Sequence, residues 1–191
     1  MAFNIKEYLQ NLKYMHFSEF WWLVTHPFIA KKTLDISKHA RNIADEYIAD
    51  TELDGDNNGG MVDAFRHCLW MAMLVQEIKP KAAKKLGNAH EKGNYKDFKK
   101  KILEEDSLPD YKSCEMDLKN NSVGLELGKE FLGSDLETLI QLVKKKVTSG
   151  VCWKIRKNSM GRFLDENANI IPPKDWIGKW ITPKILVPSD F

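Results

Sequence analysis

The sequence predicts an all-α protein, a compact orthogonal bundle of several helices with a small irregular or hairpin extension at its C-terminus. Two observations carry the helical prediction. Apolar residues recur with the 3.6-residue period of a helix over most of the chain. Capping residues, prolines and glycines stand where these periodic segments begin and end. A third observation is that strand-like segments do not recur at regular spacing, which disfavours a sandwich, a barrel or a Rossmann sheet.

The helices can be assigned in chain order from these signals. Ser134 and Glu137 form a capping box, and Gly133 and Gly150 stand where helices end. Pro27 suits the first turn of a long helix. The predicted helices cover 3–15, a short aromatic segment capped by Ser18, 27–50, 61–78, a segment from Pro80 that Gly87 or Gly93 interrupts or ends, 95–105, 113–132 and 135–148.

The helical pattern stops after residue 150. Strand-like segments at 151–155 and 163–164 flank the turn residues 159–161, which predicts a small hairpin. The proline-containing segment 172–188 is predicted to wrap over the domain as an extended tail.

Composition indicates one domain over residues 1–191, with a motif-bearing core at 54–132 and the extension at 151–191. The chain has 191 residues, 43% hydrophobic and 29% charged, enough to bury a core without disulfides. Its net charge of +2 gives no reason to expect nucleic-acid binding. Three cysteines without a CxxC pair favour free thiols in a reducing compartment. Without a signal-peptide pattern or a long apolar run, we expect a cytoplasmic protein, with export by a route that cleaves no signal left open.

The helix at 61–78 is apolar on nearly all sides but carries one polar face. Asp63, Arg66, His67 and Trp70 stand at i, i+3, i+4 and i+7 and therefore share that face. Buried charges are costly unless they pair with one another or face a ligand, a metal or a wet cleft. The alternative is an internal Asp–Arg–His network that only fixes helix packing.

Two further segments carry misplaced polar groups. Asp117, Asn120, Asn121 and Gly124 again share one helix face, and packing alone explains the glycine better than the polar residues. The adjacent pair at positions 90 and 91 points in directions about 100° apart on a regular helix. His90 and Glu91 can therefore serve one site only if one of them acts indirectly, and a solvated helix end is the alternative.

These segments together predict a catalytic metal site. His67, His90 and Asp117 are the predicted ligands of a divalent ion, with zinc, manganese and calcium all suited to such donors. Glu91 is the predicted general base or a further ligand. Arg66 would bind an anionic substrate group, and Asp63 would orient Arg66 or His67. The predicted catalytic residues are His67, Glu91, Arg66 and Asp63, and the predicted substrate-binding residues are Trp70, Asn120 and Asn121.

The loop at 54–59 matches the first six positions of an EF-hand calcium loop, but position twelve is Phe65 instead of glutamate. A solvated turn is the alternative. With calcium there, the arrangement would follow the logic of secreted phospholipases A2, with His67 as base and Asp117 as orienting acid. The aromatic segment 17–28 could then rest on a lipid surface, although aromatic residues at helical spacing usually pack inside.

The motif blocks DAFRHCLW (63–70), GNAHE (87–91) and MDLKNNSVG (116–124) resemble a bacterial domain family of unknown function. Its pattern is a D-x-x-RH-x-x-W helix, an A-HE turn and a D-x-x-NN-x-x-G helix. The resemblance implies an α-helical fold with a shared polar site, and it implies no particular reaction.

Function follows as an expectation from the predicted site. The leading hypothesis is a metal-dependent hydrolase of a phosphoester or another anionic, possibly lipid, substrate. The alternative is a non-catalytic binding or structural module with a buried Asp-Arg-His-Asn network. The expected partners are a small or lipid-like anionic substrate and, peripherally, a membrane, but not nucleic acid, and the oligomeric state stays open.

Overall fold

The computed structural model describes residues 17–103 and 108–191, so the helix predicted over 3–15 lies outside it. Nearly all of the regular structure is helical, as predicted, with a small two-stranded sheet near the C-terminus. The elements are α1 (Phe17–Thr25), α2 (Pro27–Glu46), a 3-10 turn (Tyr47–Ala49), α3 (Met61–Glu77), α4 (Pro80–Lys100), α5 (Tyr111–Glu130), α6 (Leu136–Thr148), β1 (Trp153–Ile155), α7 (Pro173–Trp176) and β2 (Leu186–Pro188).

Helix α4 corrects the prediction that Gly87 or Gly93 breaks the chain and that 95–105 forms a separate helix. It runs through both glycines to Lys100 and ends where Lys101 turns left-handed. Both glycines lie on the buried side of α4, where small residues let neighbouring helices approach. A Cβ at position 87 would already lie 3.3 Å from the amide nitrogen of Asn121. Close packing therefore outweighs the low helix propensity of glycine here.

Two predicted caps are also wrong by one position or more. Ser18 lies inside α1 and does not precede it. Asp135, and not Ser134, caps α6, because its carboxylate accepts the backbone N–H of Thr138. Aspartate and serine are similarly good N-cap residues, so adjacent candidates cannot be ranked from sequence alone.

Helix α3 forms the centre of the core. Fourteen of its residues are buried, and it packs against α2, α5 and α6. Its closest neighbour is α5: a Cβ at Gly124 would lie 2.0 Å from the carbonyl oxygen of Cys68, and one at Gly128 would lie 2.8 Å from that of Ala72. Four residues further along α5, the contact also lies four residues further along α3. The two helices therefore run parallel, with their backbones in contact.

The C-terminal extension differs from the predicted hairpin in its strand pairing. Strand β1 pairs antiparallel with β2 from the tail, and only single bridges join 157 to 163 and 164 to 170. The tail is anchored by Lys184, whose ammonium binds Asp110 at 2.7 Å and lies 3.8 Å from the centre of the Phe163 ring. Because this anchor is long-range, local sequence around residue 160 does not reveal it. Among the described residues, none of the helices has the length and apolarity needed to cross a membrane.

Candidate metal centre

The polar face of α3 meets the polar row of α5 at one buried point. Nε2 of His67 lies 3.5 Å from a carboxylate oxygen of Asp63 and 3.5 Å from one of Asp117. These three residues each offer a ligand atom, and the three atoms lie within 4.8 Å of one another. All three side chains are buried. Two carboxylates and an imidazole converging on one point form a donor set that suits a divalent ion.

Asp63 is held in place from two directions. One oxygen accepts a hydrogen bond from Arg66 at 2.6 Å, and the other accepts the backbone N–H of Gly59 at 2.7 Å. Arg66 is thus oriented by Asp63, as the sequence predicted. The same contact means that the guanidinium does not stand apart as a simple anion clamp, since it already neutralises a buried carboxylate.

His67 is held as a neutral imidazole. Burial lowers its pKa well below the usual value, and positive charge on Arg66, on Arg41 and on His90 when that ring is protonated lowers it further. A metal binds only the unprotonated nitrogen of an imidazole, so this environment prepares His67 to act as a ligand at neutral pH.

Asn121 is buried beside this cluster. Its amide lies near His67 and raises the pKa of that ring. Neither amide atom, however, makes a hydrogen bond of good geometry to a residue in the described ranges. Nδ1 of His67 is likewise buried and without a partner among those residues. An unsatisfied buried polar atom costs about 1–3 kcal/mol. Groups left in this state beside an acidic cluster indicate that a water or ligand belongs there.

His90 and Trp70 form one wall of the cluster. The His90 ring centre lies 6.1 Å from that of His67 and 5.7 Å from that of Trp70. Nδ1 of His90 contacts a carboxylate oxygen of Glu19 at 3.0 Å. The indole N–H of Trp70 donates to the hydroxyl of Ser37 at 2.8 Å, which ties α3 to α2. Trp70 therefore shapes the wall, and its polar atom is used for packing.

Glu91 lies outside the group of three ligand atoms. It contacts Asn94 at 3.1 Å and lines an open groove of about 620 Å³ between α4 and α5, with Trp180 at one end. A second pocket of similar volume lies under the C-terminal extension. His67 lines neither of these two pockets.

Asn120 differs from its neighbour Asn121 in its hydrogen bonds, and its role in substrate binding stays a prediction. Its amide N–H donates to the carbonyl of Trp153 at 2.9 Å, and its oxygen accepts the backbone N–H of the same residue at 2.8 Å. The side chain is fully buried. Asn120 thus fastens the start of the extension to α5.

The glycine-containing loop at 54–59 binds lysines of the extension. The ammonium of Lys157 contacts a carboxylate oxygen of Asp56 and, at 2.6 Å, the carbonyl of Asn58. Lys154 lies 3.6 Å from Asp54. A lysine ammonium thus takes the place among these oxygens that calcium would take in an EF-hand loop.

The structure and the sequence agree on His67 and Asp117 but differ on the third member of the set. Asp63, expected only to orient its neighbours, lies within the group of ligand atoms, whereas His90 lies outside that group. Two imidazoles bound to one ion at about 2.0–2.1 Å have ring centres roughly 5–6 Å apart. The ring centres of His67 and His90 are 6.1 Å apart, close to that range, so both could bind one ion. The role of His90 as a ligand therefore stays a prediction.

Glu19 is a site residue that sequence reasoning missed. It belongs to the aromatic segment at the beginning of the chain, 71 residues before its partner His90. An isolated acidic residue among aromatic ones gives no periodic signal, so only the packing of α1 against α4 reveals the contact.

Comparison with known proteins gives a family and no described activity. Residues 20–151 match the model of a domain of unknown function, DUF6973. This span covers more than half of the chain and includes all three motif blocks, so the protein belongs to that family. No curated protein matches the chain. No solved structure matches it either.

Proposed function

We propose that this member of DUF6973 is a metal-dependent hydrolase of a phosphoester or another anionic substrate. The observation that carries the proposal is the convergence of Asp63, His67 and Asp117, whose ligand atoms lie within 4.8 Å of one another. The unsatisfied amide of Asn121 beside them supports it independently, because packing alone gives no reason to bury that group.

A divalent ion at this position would supply a water of lowered pKa and a Lewis acid for the substrate oxygen. Zinc and manganese both suit two carboxylates and an imidazole, and calcium would need more oxygen ligands than these three residues provide. Asn121 would then orient the water or a substrate oxygen from its place one turn after Asp117.

His90 is better placed than Glu91 to act as the general base. Glu19 at 3.0 Å orients its ring, as a carboxylate orients the histidine of many catalytic pairs. In the proposed step, water attacks the ester, His90 accepts a proton from that water, and the bond to the leaving-group oxygen breaks. The proton then passes to the leaving oxygen, so one water is consumed and no other reactant is needed.

Arg41 would provide a positive charge near the cluster for an anionic substrate. Helices α2 and α3 run antiparallel, since Ser37 contacts Trp70 whereas Tyr47, ten residues later, stacks on Phe65. One turn along α2 from Ser37 therefore brings Arg41 level with His67. Arg41 is exposed at this point, and its charge reaches the imidazole.

The proposal is tested by metal content and activity together. Elemental analysis of the purified protein should find about one zinc or manganese per chain, and aryl phosphate mono- and diesters should be hydrolysed only by the loaded protein. His67→Ala and Asp117→Ala should each weaken metal affinity at least about tenfold. His39→Ala is the matched control, because this histidine is exposed on α2 away from the cluster.

A folded protein that binds neither zinc nor manganese at micromolar concentration would overturn the metal centre. Stoichiometric metal with no hydrolysis of any anionic ester would keep the centre and reject the reaction. Circular dichroism of each variant separates loss of the ion from loss of the fold.

The second candidate function is a non-catalytic module with a buried polar network. It is favoured by the two hydrogen bonds that hold Asp63, from Arg66 and from the backbone of Gly59. On this alternative, Asp63→Asn should lower the free energy of unfolding by about 1–3 kcal/mol, since it removes the charge that pairs with the partly buried guanidinium of Arg66. The same loss should then occur with and without added metal.

A further inference from the structure

Four apolar side chains near the beginning of the described chain are exposed to solvent. Phe17, Trp21 and Val24 stand at i, i+4 and i+7 on α1 and share one face, and Phe28 follows at the start of α2. Phe17 is 63% exposed, Trp21 is 59% exposed, and Phe28 is fully exposed. We call these four residues the aromatic patch. Large aromatic groups held in water on adjacent turns mark a surface that binds something apolar.

The opposite face of α1 explains why the patch is held outward. Trp22 and Leu23 are buried in the core, and Glu19 contacts His90 at the wall of the candidate site. The helix is therefore fixed in its rotation about its own axis, and the aromatic patch cannot turn inward without losing these contacts. The same short helix joins an apolar surface on one side to the proposed site on the other.

The neighbouring helix α4 supplies positive charge beside the patch. It carries seven lysines against Glu91 and Asp97. The ammonium of Lys96 lies 4.8 Å from the centre of the Phe17 ring, so cation and aromatic group are in direct contact. Two more lysines, Lys99 and Lys100, are exposed one turn further on. Exposed aromatic residues bordered by lysines form the combination that binds anionic lipid headgroups and the acyl layer below them.

We propose that the aromatic patch docks the protein on an anionic lipid surface, with Trp21 and Phe28 inserted and Lys96 at the headgroups. A second copy of the chain is the less suitable occupant. A symmetric dimer through this patch would bring the same lysines face to face and cost repulsion. An anionic surface instead attracts them, and each lysine near it contributes about 1 kcal/mol.

Vesicle sedimentation with the full chain tests this surface without any need for turnover or metal. The protein should sediment with vesicles of phosphatidylcholine mixed with phosphatidylglycerol, and far less with phosphatidylcholine alone. The double variant Trp21→Ser/Phe28→Ser should lose at least about tenfold in binding, since it removes the inserted rings. The double variant Leu132→Ser/Ile181→Ser is the matched control, because both of these residues are 68% exposed outside the patch.

Three results would overturn the proposal: no sedimentation with either vesicle, equal binding by the Trp21→Ser/Phe28→Ser variant, or a dimer in gel filtration that this variant abolishes. Raising the salt concentration should weaken binding to the phosphatidylglycerol vesicles, because the lysine contribution is screened. Binding that ignores both salt and phosphatidylglycerol would exclude the anionic surface. None of these measurements depends on hydrolysis, so their failure is distinct from failure of the proposed enzyme.

Discussion

Helices α3 and α5 touch along two stretches with opposite chemistry. At Gly124 and Gly128 the contact is made of backbone against backbone, and a single added methyl group would overlap a carbonyl oxygen. Within the two turns before Cys68 and Gly124, the same pair of helices buries Asp63, His67 and Asp117 around a common point. We call these the glycine stretch and the polar stretch.

The two stretches differ in whether packing accounts for their residues. The glycines are explained by close approach, because only a residue without a side chain fits there. In the polar stretch, Asn121 and Nδ1 of His67 are buried without hydrogen bonds in the described part of the chain. Close packing at the glycine stretch does not account for these groups, which leaves room for a water or a ligand as their partner. The two stretches therefore differ in that close packing explains the glycines but not the buried polar groups.

The largest expected effect is at the glycine stretch. Gly124→Ala places a methyl group 2.0 Å from the carbonyl oxygen of Cys68, so the two helices must separate. We expect the free energy of unfolding, measured by urea titration, to fall by about 3 kcal/mol, despite the better helix propensity of alanine.

Ser122→Ala is the control for that measurement, since Ser122 is exposed on the same helix. Its free energy of unfolding should change by less than about 0.5 kcal/mol. A loss below about 1 kcal/mol for Gly124→Ala would mean that the helices adjust freely, and the contrast between the stretches would disappear.

The next effect is a pH dependence at the polar stretch. The pKa of His67 is lowered in the folded protein, whereas an unfolded histidine titrates near about 6.5. Below that pH the unfolded chain gains a proton that the folded chain does not. The free energy of unfolding of metal-free protein should therefore fall by up to about 1.4 kcal/mol per pH unit, until the folded pKa is reached.

His67→Gln should lack this dependence, and the difference between the two proteins from pH 7 to pH 5 isolates the residue. If the difference stays flat or reverses, the carboxylates of Asp63 and Asp117 hold a proton on the ring in the folded state. The site would then resemble a buried ion pair more than a prepared metal ligand.

The polar stretch was largely predictable from the sequence, and the reason is local periodicity. Asp63 and His67 are one turn apart in an otherwise apolar helix, and Asp117 and Asn121 repeat the same spacing. Such a pattern identifies a face without any knowledge of the partner. The pattern did not show that Asn120 and Asn121 have different contacts. The partner of Asn120 is the backbone of Trp153, 33 residues away.

What the sequence could not reveal depends on contacts between distant segments. Glu19 reaches His90 across 71 residues, and Lys157 reaches Asp56 across 101. The continuity of α4 through Gly87 and Gly93 belongs to the same class, since burial against neighbouring helices decides it. Propensity, capping and spacing describe single segments, so they predict helices and faces better than they predict which faces meet.

A smaller effect distinguishes function from stability within the polar stretch. Asn121→Leu replaces two unsatisfied polar atoms with an apolar group of similar size. In metal-free protein we expect the free energy of unfolding, from urea titration, to stay equal or rise by up to about 1 kcal/mol. Hydrolysis by the loaded protein should fall sharply, because the group that orients the water or substrate is gone. A loss of more than about 2 kcal/mol would instead assign Asn121 a structural role.

The smallest effect returns to the glycine stretch and uses Cys68 as a reporter. A hydrogen bond with the Cys152 thiol and burial raise the pKa of the Cys68 thiol well above its usual value. Since only the thiolate reacts, N-ethylmaleimide should label Cys68 and Cys152 slowly in the folded protein, and Cys114, which lines the groove beside α4, should react first. Mass spectrometry of labelled peptides measures each rate, with urea-unfolded protein as the reference in which all three react.

Gly124→Ala should accelerate the labelling of Cys68 in particular, because Cys68 is the residue against which Gly124 packs. Unchanged labelling in that variant would show that α3 and α5 remain closed, and that the strain is relieved elsewhere in the core.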